Sequence, residues 1–209
     1  MSLSLYADTA VKNIRLPKPD TKSRVSVEQA LNERRTERLI GEPALSLKEA
    51  GQLLWAAQGV TDGRGYRTAP SAGALFPLET YVAAGNVSGL EPGVYRYIPA
   101  EHALALIKKG DVRKELSAAA MGQRVVANAP ITIIFSAVYP RITGRYGDRG
   151  IMYTHMEAGH AGQNIYLQAV SMGMATVAVG AFDEKQAQKV LGVPAGEPVT
   201  YVFPAGKKR

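Results

Sequence analysis

Arg67-Thr68-Ala69-Pro70-Ser71-Ala72-Gly73-Ala74-Leu75-Phe76-Pro77-Leu78-Glu79 is the stretch from which the organisation of this chain is read. Its first part is made of small residues. Such a loop lets a planar ligand approach the backbone, and Gly73 tolerates backbone angles that other residues avoid. Taken alone it is also an ordinary loop with a tight turn. Downstream the pattern turns β-rich, with strands expected over 79–84, over 93–98 after the Glu91-Pro92-Gly93 turn, and over 103–108. Upstream, Ser46 and Glu49 form a capping box. Leu47, Ala50, Leu54 and Ala57 then repeat at helical spacing through Gln58, with Trp55 expected against the core.

Further out, a short helix is expected over 27–33, running into Arg34-Arg35-Thr36-Glu37-Arg38. Asp111 is placed to cap a helix reaching Met121, and 131–138 is an apolar β-rich run that reads as a buried strand. Residues 140–150 read as irregular, 153–172 as a long helix, and 175–179 as a strand. Asp183 with Gln186 caps a helix to Leu191, and a last strand covers 200–203. Helices and strands thus alternate around one sheet, with residues 1–25 as an extended arm and 26–209 as a single domain. No internal repeat is present.

The bulk numbers bound the function. The 209 residues are 46% hydrophobic and 21% charged, an ordinary globular mixture able to bury a core. No apolar run approaches the ~20 residues needed to span a bilayer, so a soluble chain without membrane insertion is expected. The net charge of +7 favours anionic partners. Its basic residues do not form a stripe interleaved with aromatics, and no nucleic-acid partner is expected. The absence of cysteine excludes disulfides, thiolate nucleophiles and cysteine-ligated clusters, so redox chemistry would need a bound cofactor. Residues 1–20 contain no signal-peptide core. That leans towards a cytoplasmic protein and leaves an exported origin open if Met1-Ser2-Leu3 replaces a leader.

Three further motifs carry possible chemistry. Arg34-Arg35-Thr36-Glu37-Arg38 is either a solvated basic turn or an anion site, since guanidinium groups engage phosphate bidentately and a hydroxyl adds a donor. In the long helix, Glu157, His160 and Asn164 fall on one face. Two internal glycines, Gly159 and Gly162, cost about 1 kcal/mol each relative to alanine and imply a compensating close approach of another backbone. No second histidine or carboxylate pair at metal spacing accompanies His160, and no metal site is expected. Val177-Ala178-Val179-Gly180-Ala181-Phe182 is a strand end running into a small-residue turn, whose N–H groups are available to a ligand ring.

In order and wording together, five segments resemble the nitroreductase-like flavoproteins, particularly the SagB-type dehydrogenase branch. They are Leu53-Leu54-Trp55-Ala56-Ala57-Gln58-Gly59, the 67–79 stretch, Pro92-Gly93-Val94-Tyr95-Arg96-Tyr97, Met156-Glu157-Ala158-Gly159-His160-Ala161-Gly162-Gln163-Asn164, and Val179-Gly180-Ala181-Phe182-Asp183. The resemblance implies an α+β fold, with a mixed central sheet flanked by helices, built as an interlocked homodimer holding FMN at its interface. It carries over Arg34 and Thr36 as phosphate- and ribityl-binding residues, Arg35 as an assistant, and Arg38 near flavin N1 and the C2 carbonyl. Pro70, Ser71, Ala72 and Gly73 match a loop that lies along the flavin from the partner subunit. Gln123 and Asn164 join the cofactor set, and the backbone of Val179, Gly180 and Ala181 faces N5 and O4. Lys207 and Lys208 stand in for basic residues that in the family come further along a tail.

What the resemblance implies for activity is an FMN-dependent oxidoreductase. It would take electrons from NAD(P)H and pass them in ping-pong fashion to a small organic acceptor, nitro- or quinone-like. Two alternatives stay open: an azoline-type heterocycle dehydrogenase, and a flavin-binding protein without turnover. Azoline-oxidising relatives carry a Lys-Tyr pair for proton transfer, where this chain reads Arg145-Tyr146-Gly147. Arginine stays protonated and cannot act as a base near neutral pH, which leaves Tyr146 as the candidate catalytic side chain.

Overall fold

A computed structural model describes residues 13–209 of the chain, so the first twelve residues of the expected arm lie outside it. In chain order the elements are strand β1 (Ile14–Arg15), helix α1 (Val27–Glu33), strand β2 (Leu45–Ser46) and helix α2 (Leu47–Gln58). After a single 3-10 turn over Ala72–Ala74 come strands β3 (Leu78–Ala84), β4 (Val87–Ser88), β5 (Gly93–Ile98) and β6 (Ala103–Lys109). Helices α3 (Arg113–Ala119) and α4 (Arg124–Asn128) precede strand β7 (Ile131–Ala137). The chain ends with helices α5 (Pro140–Tyr146) and α6 (Arg149–Ser171), strand β8 (Met174–Thr176), helix α7 (Glu184–Leu191) and strand β9 (Val199–Lys207).

Seven strands form one sheet in the order β1-β6-β5-β3-β7-β9-β8. The expected α+β class holds, and the sheet is antiparallel at every pairing rather than mixed. Among the described strands, only β2 and β4, outside that sheet, run parallel. Strand β7 sits near the centre with all seven residues buried, which explains why its sequence is apolar on both faces, with Thr132 and Ser136 as buried small polar residues, rather than a clean alternation. Its side chains still alternate. Ile131, Ile133 and Phe135 enter the core on one face, with Leu53, Leu54, Ala161, Ile165 and Phe203. Ile134 enters the core on the other, with Leu116, Val126, Ala175 and Leu191. Helices α2 and α6 therefore cover one face, and α3, α4 and α7 cover the other.

Several local expectations are corrected. Residues 140–146 are helical: Pro140 occupies the first turn, where its missing N–H is no loss, and Gly147 ends the helix at φ 55°. Gly144 and Gly147, both helix breakers by propensity, mask this helix in the sequence. Val112 rather than Asp111 is the N-cap residue of α3; the Asp111 carboxylate accepts the first helical N–H, that of Arg113, at 3.0 Å and also holds the Arg113 guanidinium at 2.6–3.0 Å. Trp55 is half-buried at the edge of α2 rather than in the core. Gly162 admits no side chain because a Cβ there would lie 2.4 Å from Phe203 Cζ, so its close approach is to β9 of its own chain. Gly159 has open space around it.

Residues 13–25 lie against the domain. Leu16 is buried over Gly51, His102 Nε2 and Pro17 O are 3.0 Å apart, and Gln52 exchanges hydrogen bonds with both backbone groups of Asp20.

Candidate functional site

Helix α1 stops at Glu33 because Arg35 folds back, its Nη1 donating to the carbonyls of Asn32 (2.9 Å) and Arg34 (2.8 Å). Arg35 is thereby committed to the helix end. The chain then runs extended beside β8 and β9. Glu37 N–H donates to Thr176 O at 3.0 Å, Ile40 pairs with Lys208, and Arg209 N–H donates to Leu39 O at 3.2 Å.

Tyr166 of α6 ties this segment to the turn after β8. The Arg34 guanidinium lies over its ring, 5.3 Å from the centroid. Its hydroxyl is 3.3 Å from Thr36 Oγ1 and accepts the N–H of Ala178 at 2.8 Å. Gln123 joins from the start of α4, donating to Ala181 O at 3.2 Å. Val179 is held by its pairing with Val202. The N–H groups of Gly180 and Ala181 are exposed and make no hydrogen bond among the described residues. Arg34, Thr36, Gln123 and the 179–181 backbone are thus brought into one neighbourhood.

Lys207 and Lys208 are not equivalent. As neighbours at the end of a strand they point to opposite sides. Lys208 pairs with Glu37 at 3.6 Å, inside the Arg34–Arg38 segment, whereas Lys207 pairs with Glu49 of α2 at 3.6 Å. Arg38 is exposed.

The second group surrounds the 67–76 loop. Asn164 Nδ2 donates to Thr68 O at 3.1 Å, so Asn164 holds the loop rather than joining the Arg34 group. Arg67 donates to Gln58 Oε1 at 2.9 Å and covers the Phe76 ring at 4.3 Å. Ser71 Oγ accepts the N–H of Phe76 at 2.9 Å. Three residues inside this turn, Gly73, Ala74 and Phe76, have φ of 63°, 54° and 46°. For Ala74 and Phe76 that region is unfavourable by ~1–2 kcal/mol each, a strain held by the surrounding bonds. Gly73 is required twice over, because a Cβ there would also lie 2.8 Å from the Tyr146 hydroxyl. Tyr146 is half-buried against this turn and packs edge-on to Tyr153 at 5.3 Å.

Glu157 lies beneath the loop and is 2% exposed. With Pro70, Ser71, Ala72, Tyr153, Met156 and His160 it lines a cavity of about 270 Å³. Burial pushes its carboxyl up to about 7; Ser71, Arg67 and Gln58 oppose that rise without outweighing it. Ser71 and Gln58 lie close enough to favour the charged form but stop short of hydrogen-bonding geometry, so among the described residues both Glu157 oxygens and Gln58 Nε2 are without partners. The sequence placed Glu157 on the face shared with His160 and Asn164 but did not mark it as an ionisable group of interest. The available signal was an acid set between Thr154, Ala158 and Ala161, on the buried side of the helix.

The two groups are held by opposite sides of one helix. From Glu157 to Tyr166 is nine positions, about 13 Å along the axis and about half a turn around it.

Comparison with known proteins identifies the family. The Nitroreductase family profile matches residues 31–207. A Methanocaldococcus jannaschii protein, provisionally named a nitroreductase, is 45% identical over 184 residues, covering 88% of this chain and 92% of that protein. A crystal structure from Ralstonia eutropha with the same provisional name is 28% identical, with a TM-score of 0.83 over 96% of this chain and 91% of that one. Another from Anabaena variabilis is 31% identical with a TM-score of 0.79 over 88% of this chain, which spans only 38% of that longer one. The NADPH:FMN oxidoreductase of Vibrio harveyi, solved with NAD+, is 17% identical and shares the fold, with a TM-score of 0.64 over 87% of this chain and 68% of that one. With a family profile spanning most of its length and a relative matched nearly end to end, this chain belongs to the nitroreductase family of oxidoreductases.

Proposed function

We propose that the chain binds FMN at the interface of a homodimer and works as an NAD(P)H-linked reductase of small organic acceptors, nitro- or quinone-like. When bound, FMN supplies the redox chemistry by accepting an electron pair from one partner and releasing it to another. The side chains bind, orient and shield.

The observation that carries this reading is the placement of the two residue groups on opposite sides of α6. One planar ligand cannot touch both within a single chain, whereas a second copy brings the loop group of one subunit to the Arg34 group of the other. The donor set fits the cofactor. Arg34 faces no carboxylate among the described ion pairs, and Thr36 adds a hydroxyl, which together suit a phosphate and a polyol. The free N–H groups of Gly180 and Ala181 suit the polar edge of an isoalloxazine. A Cβ on Gly180 would meet only Tyr201 Cε2 at 3.9 Å, leaving room above that backbone for a flat ring. Arg38, beside this group, would favour the anionic reduced form electrostatically. Pro70, Ala72 and Gly73 of the partner would close the other side, with Tyr146 at the loop's edge.

Arg145 gives no support to azoline oxidation through a Lys-Tyr pair. The motif set favours the SagB-type branch as a relationship rather than as that activity. The reading is tested by reconstituting the purified chain with FMN, then adding NADH or NADPH with menadione. The expected result is a visible flavin band that bleaches with the donor and returns with the acceptor. A colourless protein after reconstitution would overturn the proposal.

A further inference from the structure

Among the groups that this reading leaves unused, Glu157 has the least ordinary surroundings. A carboxylate buried to 2% exposure normally carries two or more hydrogen bonds or an ion partner, because an unpaired buried charge costs several kcal/mol. Glu157 has neither. The nearest guanidinium, Arg67, spends its Nη1 on Gln58 and lies over Phe76. Ser71 Oγ, facing Glu157 from the loop, accepts the Phe76 N–H and keeps its own hydrogen free to turn. His160 and Tyr153, on the same helix, line the cavity on its outer side, and Tyr146 and Arg145 of α5 stand beyond Gly73. No acid faces Glu157 from these elements. The surroundings favour the neutral acid, a group with a proton to give and little holding it.

We propose that Glu157 is the proton store for reduction of the acceptor, delivering its proton through the Ser71 hydroxyl into the cavity under the 70–72 loop. This rests on the proposed function above. Converting a quinone to its hydroquinone adds two electrons and two protons. The electron pair arrives with one hydrogen from the reduced cofactor. The second proton is the one that Ser71 passes to the quinone oxygen as it takes the proton of Glu157. One O–H bond breaks at Glu157, one forms on the product, and Ser71 is unchanged. The carboxylate left behind, buried and unpartnered, is driven to recover a proton from solvent before the next turnover. Glu157 acts through Ser71 and does not itself touch the acceptor, because both of its carboxyl oxygens are buried from solvent while Ser71 lines the cavity beside it.

The test compares wild type with Glu157→Gln, which keeps the shape and removes the titration. Infrared spectra of the chain, with and without FMN, should show a protonated-carboxyl band at pH 6. This band should fade as pH passes about 7 and be missing from the variant. Flavin-loaded protein reduced with dithionite is then mixed with menadione, which needs a proton, or with ferricyanide, which takes electrons alone. The expected result is a slowing with menadione on the order of tenfold or more and no change with ferricyanide. The wild-type decline in menadione rate above neutral pH should be lost in the variant. Equal slowing with both acceptors would mark a structural role and overturn the inference, as would an unchanged menadione rate or an absent infrared band. Wild type that binds no FMN, or whose reduced flavin no acceptor reoxidises, would instead overturn the proposed function and this inference with it.

Discussion

Gly180 and Glu157 are the residues at which the proposed site and the fold make separable predictions. Gly180 has ordinary backbone angles and open space where a side chain would go. Gly180→Val should therefore leave the thermal midpoint unchanged and weaken FMN binding by about tenfold or more, the cost of ~1.4 kcal/mol of lost contact. Calorimetry beside a flavin titration checks both halves, and a fall in stability with unaltered affinity would refute the assignment. Glu157 makes a prediction about pH. Its folded pKa, about 7, lies above its unfolded value near 4.5, so the folded state holds the proton more tightly. The stability this contributes is complete below pH 4.5 and is lost as pH rises through 7, a change of about 3 kcal/mol at most. Urea titrations at several pH values should show wild type weakening from pH 5 to 8, while Glu157→Gln loses that slope. Parallel curves would contradict it.

Elements with a clear period or cap were legible in the sequence. The Ser46–Glu49 capping box starts α2 where expected, Asp183 caps α7, and the 131–138 run is a fully buried interior strand. What escaped was structure without local period. The two-residue strands β1, β2 and β4 exist only through their pairing partners, and α5 hides behind two glycines. In the candidate site, the Arg34–Arg38 and Gly180 groups were legible as motifs. The orphaned state of Glu157, the diversion of Arg35 to a helix end and the turning of Lys207 towards Glu49 depend on three-dimensional neighbours that spacing does not encode. Of the two helix glycines read as close approaches, Gly162 is one, with Phe203 as its partner, whereas Gly159 has open space around it. Gly162→Ala should cost about 1–3 kcal/mol by forcing α6 off the sheet. Gly159→Ala, with nothing near it, should stabilise an isolated chain by up to ~1 kcal/mol. Chemical denaturation of both variants distinguishes them, and equal effects would show that α6 is seated otherwise.

Across the whole molecule, α6 is the dividing wall. Its inner face is spent on the sheet, one flank holds the 67–76 loop, and the other holds Tyr166 and the basic segment. The exposed apolar residues Ile151, Met152 and Met156 lie on its first half, beside the loop group. These features suit a second copy of the chain docking there and completing each site from two sides. No helix among the described residues is long and apolar enough to cross a membrane. The central claim is that FMN sits in a site shared by two subunits. Sedimentation velocity of the reconstituted protein, recorded at the visible flavin band, tests it most directly. The account predicts flavin absorbance moving as one boundary at the mass of two chains, with one FMN per chain. Flavin travelling with single chains, or a dimer that sediments without it, would contradict the account.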